Sequence, residues 1–235
     1  MTDNNISQLP PGPCSLPKLW KLFVGNNKLA SMPDWVGNSS DLNFLAVSHN
    51  LLELLPDSVT RLPKLCRLSA GNNRIRALPE SLALPSAGYV YLDNNQLSEL
   101  PEAIGNLPSL LLLDVSNNRL REMPEASCRL TELGTLDASN NALSALPTGI
   151  SRLKKLGFLK VSSNKLRALP EELADLRKLQ TLYVASSFKL RKYCMWRPRV
   201  CACCRSAIRS ELHRTAYRSG VGGVTVTSSR DSQSA

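Results

Sequence analysis

An asparagine recurs along this chain at Asn4, Asn27, Asn50, Asn73, Asn95, Asn118, Asn141 and Asn164. Every step is 23 residues except the one from Asn73 to Asn95, which is 22 because a position is missing within Leu82–Ala87. A proline follows each asparagine in the same register: Pro10, Pro33, Pro56, Pro79, Pro101, Pro124, Pro147 and Pro170. Leucine fills most of the remaining fixed positions, in the frame LxxLxLxxNxLxxLPxxIxxLxx. A unit this small cannot bury an apolar face alone. It is stable only when stacked on copies of itself, so the chain must be a solenoid.

One unit shows how each position is used. In Leu19–Val24, Leu22 and Val24 alternate with Lys21 and Phe23, the period of a β-strand. Leu22 and Val24 go to the core, and Lys21, Phe23 and Gly25 face outward. Asn27 follows where the chain turns away, and its amide can both donate to and accept from the backbone of adjacent turns. Stacking predicts a ladder of Asn27, Asn50, Asn73, Asn95, Asn118, Asn141 and Asn164. Leu29 and Met32 return to the core, and Pro33 ends any strand ladder. The few residues after it, with Val36 as an apolar anchor, are long enough only for a 3₁₀ or short helical turn. The expected architecture is an α/β solenoid with parallel strands on the concave side and short helical turns on the convex side. Pro13, Ser39 and Ser127 stand at normally apolar convex positions, which are expected to pack loosely there.

Outward strand positions should form three columns across the concave face. The chain has 5 Tyr and 4 Phe. Six of them fall in these columns: Phe23, Phe44, Tyr89, Tyr91, Phe158 and Tyr183. Aromatics placed where the core does not need them suggest interface anchors. The competing reading is that they are ordinary exposed strand residues, because strands favour aromatics. Asp93, Asp114 and Asp137 form an acidic run among them, with Arg67 and Lys160 on either side. The candidate surface is therefore Phe23, Phe44, Arg67, Tyr89, Tyr91, Asp93, Asp114, Asp137, Phe158, Lys160 and Tyr183. Its expected occupant is a protein segment with a basic or Arg-bearing stretch lying across Tyr89–Asp137.

The net charge of +10 invites a nucleic-acid reading, but its distribution opposes one. Up to Ser187 the chain carries 19 Lys and Arg against 17 Asp and Glu, whereas from Phe188 onward it carries 10 against 2. The repeat body is near neutral and has no footprint for phosphates, so no nucleic-acid partner is expected. His49, between Ser48 and Asn50, has no orienting carboxylate fixed nearby. No phosphate loop, metalloprotease helix or kinase signature is present. The aspartate run lacks calcium-loop spacing. No enzyme activity, cofactor or metal is expected.

The 23-residue unit with a central Leu-Pro or Met-Pro, as in Asn118-Arg119-Leu120-Arg121-Glu122-Met123-Pro124, resembles the intracellular Ras-group leucine-rich-repeat proteins. That group takes in the Ras-pathway scaffold family, the plant intracellular Ras-group proteins and the repeat regions of Scribble and Erbin. The resemblance covers residues 1–187 and implies a leucine-rich-repeat horseshoe. It also implies a protein-binding scaffold or adaptor in intracellular signal transduction, often with a small GTPase, kinase or phosphatase as partner. It carries over framework residues only, since no partner-contact motif is matched. The other function class is a regulatory repeat region of a larger multidomain signalling protein such as a kinase.

Residues 1–187 are thus read as one repeat domain, with seven full repeats and partial units at both ends. The first unit lacks a strand and has no capping sequence before it. In the last, Ser187 stands where asparagine is due and Lys189 where leucine is due. Uncapped ends leave core exposed and allow self-association. Residues 188–218 are basic and cysteine-bearing, with a short helix expected over 206–218. Three readings of this segment stay open: a membrane anchor acylated at Cys201, Cys203 or Cys204; a metal site, for which the cysteine spacing fits no common zinc module; or a non-functional run-out. Residues 219–235 are rich in Gly, Ser and Thr and are expected to be disordered. The start of the sequence has no basic and apolar leader pattern. The expected location is therefore the cytoplasm, or the cytoplasmic face of a membrane if the tail is acylated, with reduced cysteines.

Overall fold

The computed structural model describes residues 2–10, 16, 18–184 and 225–227. Eight three-residue strands run parallel in a single sheet in chain order: β1 (Lys21–Phe23), β2 (Phe44–Ala46), β3 (Arg67–Ser69), β4 (Tyr89–Tyr91), β5 (Leu112–Asp114), β6 (Thr135–Asp137), β7 (Phe158–Lys160) and β8 (Thr181–Tyr183). Pairing follows the repeat, with Lys21 opposite Phe44, Phe44 opposite Arg67, and so on to Phe158 opposite Thr181. The missing residue before Asn95 does not disturb it: Arg67 still lies opposite Tyr89.

The central residue of β2 to β7 is buried, and so is the residue just beyond each of β1 to β7: Val24, Val47, Ala70, Leu92, Val115, Ala138 and Val161. Together with the leucines of the return segments they form one continuous aliphatic core. Six 3₁₀ turns lie on the opposite side: η1 (Asp34–Asn38), η2 (Val59–Arg61), η3 (Glu102–Asn106), η4 (Glu125–Arg129), η5 (Thr148–Arg152) and η6 (Glu171–Asp175). All but η2 open directly after the repeat proline. The ring fixes φ near the helical value and the proline carbonyl accepts the first turn's hydrogen bond, as in Ile104 N–H to Pro101 O at 3.0 Å. The 22-residue unit has no such turn. Its shortened return is held instead by Leu82 N–H to Pro79 O (3.1 Å) and Ala83 N–H to Thr60 O (2.9 Å). The deletion is absorbed entirely on the convex side.

The asparagines form the expected ladder. Asn50 Nδ2 donates to Val47 O (2.9 Å) in its own unit and to Val24 O (3.0 Å) in the preceding one, while its Oδ1 accepts from Leu29 N–H (3.0 Å). The same set recurs at Asn73, Asn95, Asn118, Asn141 and Asn164. Asn4 does not join it: it is exposed, and its Nδ2 donates to Thr2 O. The residue before each ladder asparagine has a left-handed backbone: Asn26, His49, Asn72, Asn94, Asn117, Asn140 and Ser163, with φ between 53° and 57°. Asparagine tolerates that conformation best among non-glycine residues, which explains the doubled Asn-Asn of most units.

Three expectations are adjusted. The first unit is not bare: residues 2–10 run beside the first full repeat, with Ile6 N–H bonded to Asn27 Oδ1 and the Trp35 indole to Pro10 O at 2.8 Å. Leu9 is buried there and Ile6 packs against the core. Ser39 and Ser127 do not open the convex side, since both are buried; Ser127 satisfies its hydroxyl on Pro124 O (2.7 Å), whereas Ser39 Oγ has no partner among the described residues. Within 219–235, a further strand, β9 (Thr225–Thr227), pairs antiparallel with β8. The β-branched run Thr225-Val226-Thr227 suits a strand and pairs with the edge of β8. The basic segment 188–218, with Cys201, Cys203 and Cys204, lies outside the described residues. Among the described residues no helix is long and apolar enough to cross a membrane.

Candidate functional site

Parallel pairing turns the outward strand positions into straight rows, each step about 4.8 Å wide. One row runs Phe23, Ala46, Ser69, Tyr91, Asp114, Asp137, Lys160, Tyr183. The row beside it runs Lys21, Phe44, Arg67, Tyr89, Leu112, Thr135, Phe158, Thr181. Ten of the eleven candidate residues lie in these two rows. Asp93 does not: it sits past the end of β4, and its carboxylate turns back over the preceding unit. A Cβ on Gly71 would lie 2.3 Å from Asp93 Oδ1, so a larger residue there would push the carboxylate off this position. Asp93 also accepts from Asn94 Nδ2 at 2.7 Å.

The acidic centre of the face is therefore Asp114 with Asp137. Asp114 Oδ1 accepts from the Ser116 backbone N–H (3.0 Å) and hydroxyl (2.7 Å), and Asp137 Oδ1 accepts from Ser139 N–H (3.1 Å). Burial raises the pKa of Asp114 above its ordinary value; the Ser116 hydrogen bonds oppose this, and the charges of Asp137 and Asp93 add to it. Asp137 is further engaged by Lys160, at 3.1 Å. That bond raises the lysine's pKa, against a smaller opposing effect of burial. Among the described residues no cation lies at salt-bridge distance from Asp114, although its charge adds to the rise of the Lys160 pKa. A shallow open depression of about 400 Å³ lies next to it, lined by Asp137, Lys160, Tyr183 and the serines and asparagines of the following turns.

The aromatics flank this centre. Tyr89 and Phe158 are 41% and 43% exposed, and Phe23 47%, which is unusual for side chains so large. Arg67 stacks over the Tyr91 ring, its guanidinium carbon 4.7 Å from the centroid. Trp20, which precedes β1 and was not singled out by the repeat frame, is 57% exposed and meets Phe44 edge to face at 6.4 Å. Its position outside the strand kept it out of the columns, although its size alone marks it. His49 is exposed at a left-handed turn, where its side chain serves no described contact beyond the turn itself. Among the described residues no group of three His, Cys, Asp or Glu side chains is placed to hold a metal ion. Cys128 is buried between convex turns, and burial pushes its thiol up to about 11.

Straight rows on a parallel sheet, backed by an asparagine ladder and 3₁₀ returns, decide the architecture. This is a leucine-rich-repeat fold. A family model for a leucine-rich repeat region matches residues 84–187. The structure is similar to a leucine-rich-repeat protein of Leptospira interrogans, with a TM-score of 0.71 and 26% identity over 81% of this chain and 55% of that one. It is similar to YopM, a leucine-rich effector protein from Yersinia pestis, with a TM-score of 0.63 and 32% identity over 78% of this chain and 47% of that one. The Toll–Spätzle complex of Drosophila gives a TM-score of 0.72 at 28% identity over 78% of this chain and 26% of that one. The chain thus spans about half or less of these structures. No curated protein matches the sequence. Leucine-rich-repeat regions typically mediate protein–protein interaction.

Proposed function

We propose that this chain is a protein-binding scaffold or adaptor whose concave face takes a segment of a protein partner, with an Arg or Lys of that segment on Asp114. The observation that carries this reading is the in-register row Tyr91–Asp114–Asp137–Lys160, flanked by half-exposed aromatics on a face that contributes nothing to the core. Asp114 is the member of that row without an ionic partner among the described residues, so a cationic group there gains a charge-assisted bond at little cost. The Ras-group character of the repeat supports a role in intracellular signalling, with a small GTPase, kinase or phosphatase as the partner class. It also supports a place in the cytoplasm or on the cytoplasmic face of a membrane.

Affinity purification with the full chain as bait tests this, comparing wild type with the double variant Tyr91→Ala/Asp114→Ala. Both side chains lie outside the aliphatic core, so the variant should fold, and its melt is compared with that of the wild type beforehand. Partner recovery is expected to fall by about tenfold or more, the loss expected for one aromatic anchor and one charged contact. Unchanged recovery of the same partners would remove the row from the binding surface.

A further inference from the structure

The first three strands carry a second feature that the acidic row does not explain. Along the row Lys21, Phe44, Arg67, Tyr89, cations and aromatics alternate on successive strands. Lys21 Nζ lies 4.3 Å from the Trp20 ring centroid and 4.9 Å from that of Phe44. Arg67 lies over Tyr91 and reaches Ser69 Oγ at 3.4 Å. All four ion pairs of the described residues join positions 23 apart in neighbouring units: Lys64–Asp41, Arg76–Glu53, Lys155–Glu132 and Lys160–Asp137. Lys21 and Arg67 take part in none of them, because the equivalent positions in the adjoining units are Phe44 and Tyr89. The aromatics hold the two cations in place and leave their charges unneutralised by any described carboxylate.

Between them the surface dips. Ala46 and Ser69 are the small residues of the neighbouring row, and they floor a depression of about 240 Å³ walled by Phe23, Phe44, Lys21 and Arg67. A depression of that size accepts one or two apolar side chains, and its rim offers two cations. Its complement is an apolar side chain flanked by carboxylates. We infer that strands β1 to β3 form a separate docking subsite for an acidic, apolar-anchored peptide segment of a protein partner. The inference rests on the concave-face reading but does not use Asp114; Tyr91, which backs Arg67, is the residue the two sites share. With both sites filled, the bound segment is bipolar: acidic over β1–β3 and basic over β5–β6, which fixes its direction across the sheet. A single-stranded nucleic acid would also meet cations and rings. Two cations beside a side-chain-sized dip in a near-neutral repeat body favour the peptide.

The test is fluorescence anisotropy with the full chain and three labelled probes. These are a hexapeptide with two glutamates on each side of a Phe-Leu pair, the same peptide with lysines for glutamates, and a thymidine hexanucleotide. The acidic peptide should bind at least about tenfold tighter than either of the others. Lys21→Glu/Arg67→Glu should abolish its binding, and Ala46→Trp, which fills the dip without changing charge, should weaken it about tenfold or more. Should Ala46→Trp lower the melting temperature, Ser69→Phe serves instead. Arg129→Ala, on the convex turn η4, should leave the acidic peptide's affinity unchanged. Absence of binding, equal binding of the lysine peptide, tighter binding of the hexanucleotide, or indifference to Lys21→Glu/Arg67→Glu and to the substitution that fills the dip would each overturn the subsite. Loss of partner recovery in Tyr91→Ala/Asp114→Ala with no effect here would instead leave the acidic row standing alone.

Discussion

At the scale of single residues, the ladder asparagines do the most to hold the stack together. Asn118 donates to Leu92 O (2.9 Å), Val115 O (3.0 Å) and Ser116 O (3.1 Å) and accepts from Leu97 N–H (2.9 Å). Asn118→Ala strands these backbone groups inside the core and should cost roughly 1–3 kcal/mol in urea unfolding. An unchanged midpoint would mean that the backbone re-pairs without the amide. This residue was legible from its period alone. The left-handed residue before it was not, because the conformation is shared by Asn, His49 and Ser163 and no single letter marks it. Asp114 behaves in the opposite way to a stabilising ion pair. Its pKa is raised by folding, so its protonated form favours the fold: stability from this group is fully present below its ordinary pKa and is lost as pH rises through its folded value. Asp114→Asn is therefore expected to melt higher than wild type at neutral pH and to lose that advantage in acid. A lower melting temperature for the variant at neutral pH would show that the Ser116 hydrogen bonds outweigh burial.

At the scale of elements, the place and facing of the strands were readable because inward and outward positions alternate and the register repeats, although each spans only three residues, as in Lys21–Phe23 against the Leu19–Val24 read from the pattern. The convex side was harder. Only the proline announces a 3₁₀ turn, and it does so equally in the unit that lacks one, where Leu82–Ala87 is a residue short. The packing between turns is set by contacts that no hydrophobic pattern reveals. A Cβ on Gly105 in η3 would come within 2.3 Å of the Ala126 carbonyl oxygen in η4. Backbone cannot swing aside as a side-chain tip does, so Gly105→Ala should force the two turns apart and cost about 1–3 kcal/mol. A thermal melt matching wild type would show that the turns slide freely over each other. The β8–β9 pairing was missed for a different reason. Composition argued against order in the Gly- and Ser-rich tail, whereas an open strand edge recruits any short β-branched run that can reach it.

For the whole molecule, the solenoid sets how a partner is read rather than which partner it is. Each unit touches only its neighbours, so the face can change chemistry strand by strand without disturbing the core. The sequence shows that freedom in use: aromatic and basic on β1–β3, acidic on β5–β6, mixed on β7–β8. The rows themselves were legible beforehand. The neutralisation of Asp137 by Lys160, the folding back of Asp93 over Gly71 and the exposure of Trp20 required the geometry. The most direct test of a concave binding face is photo-crosslinking. A benzophenone side chain would replace Tyr89 or Phe158 on the strands, and Arg129 or Arg152 on the convex turns, with the recovered partner added to each protein. Crosslinks from the two strand positions and none from the two turn positions are expected. Crosslinks confined to the turn positions would place the partner on the other side of the solenoid and contradict the reading.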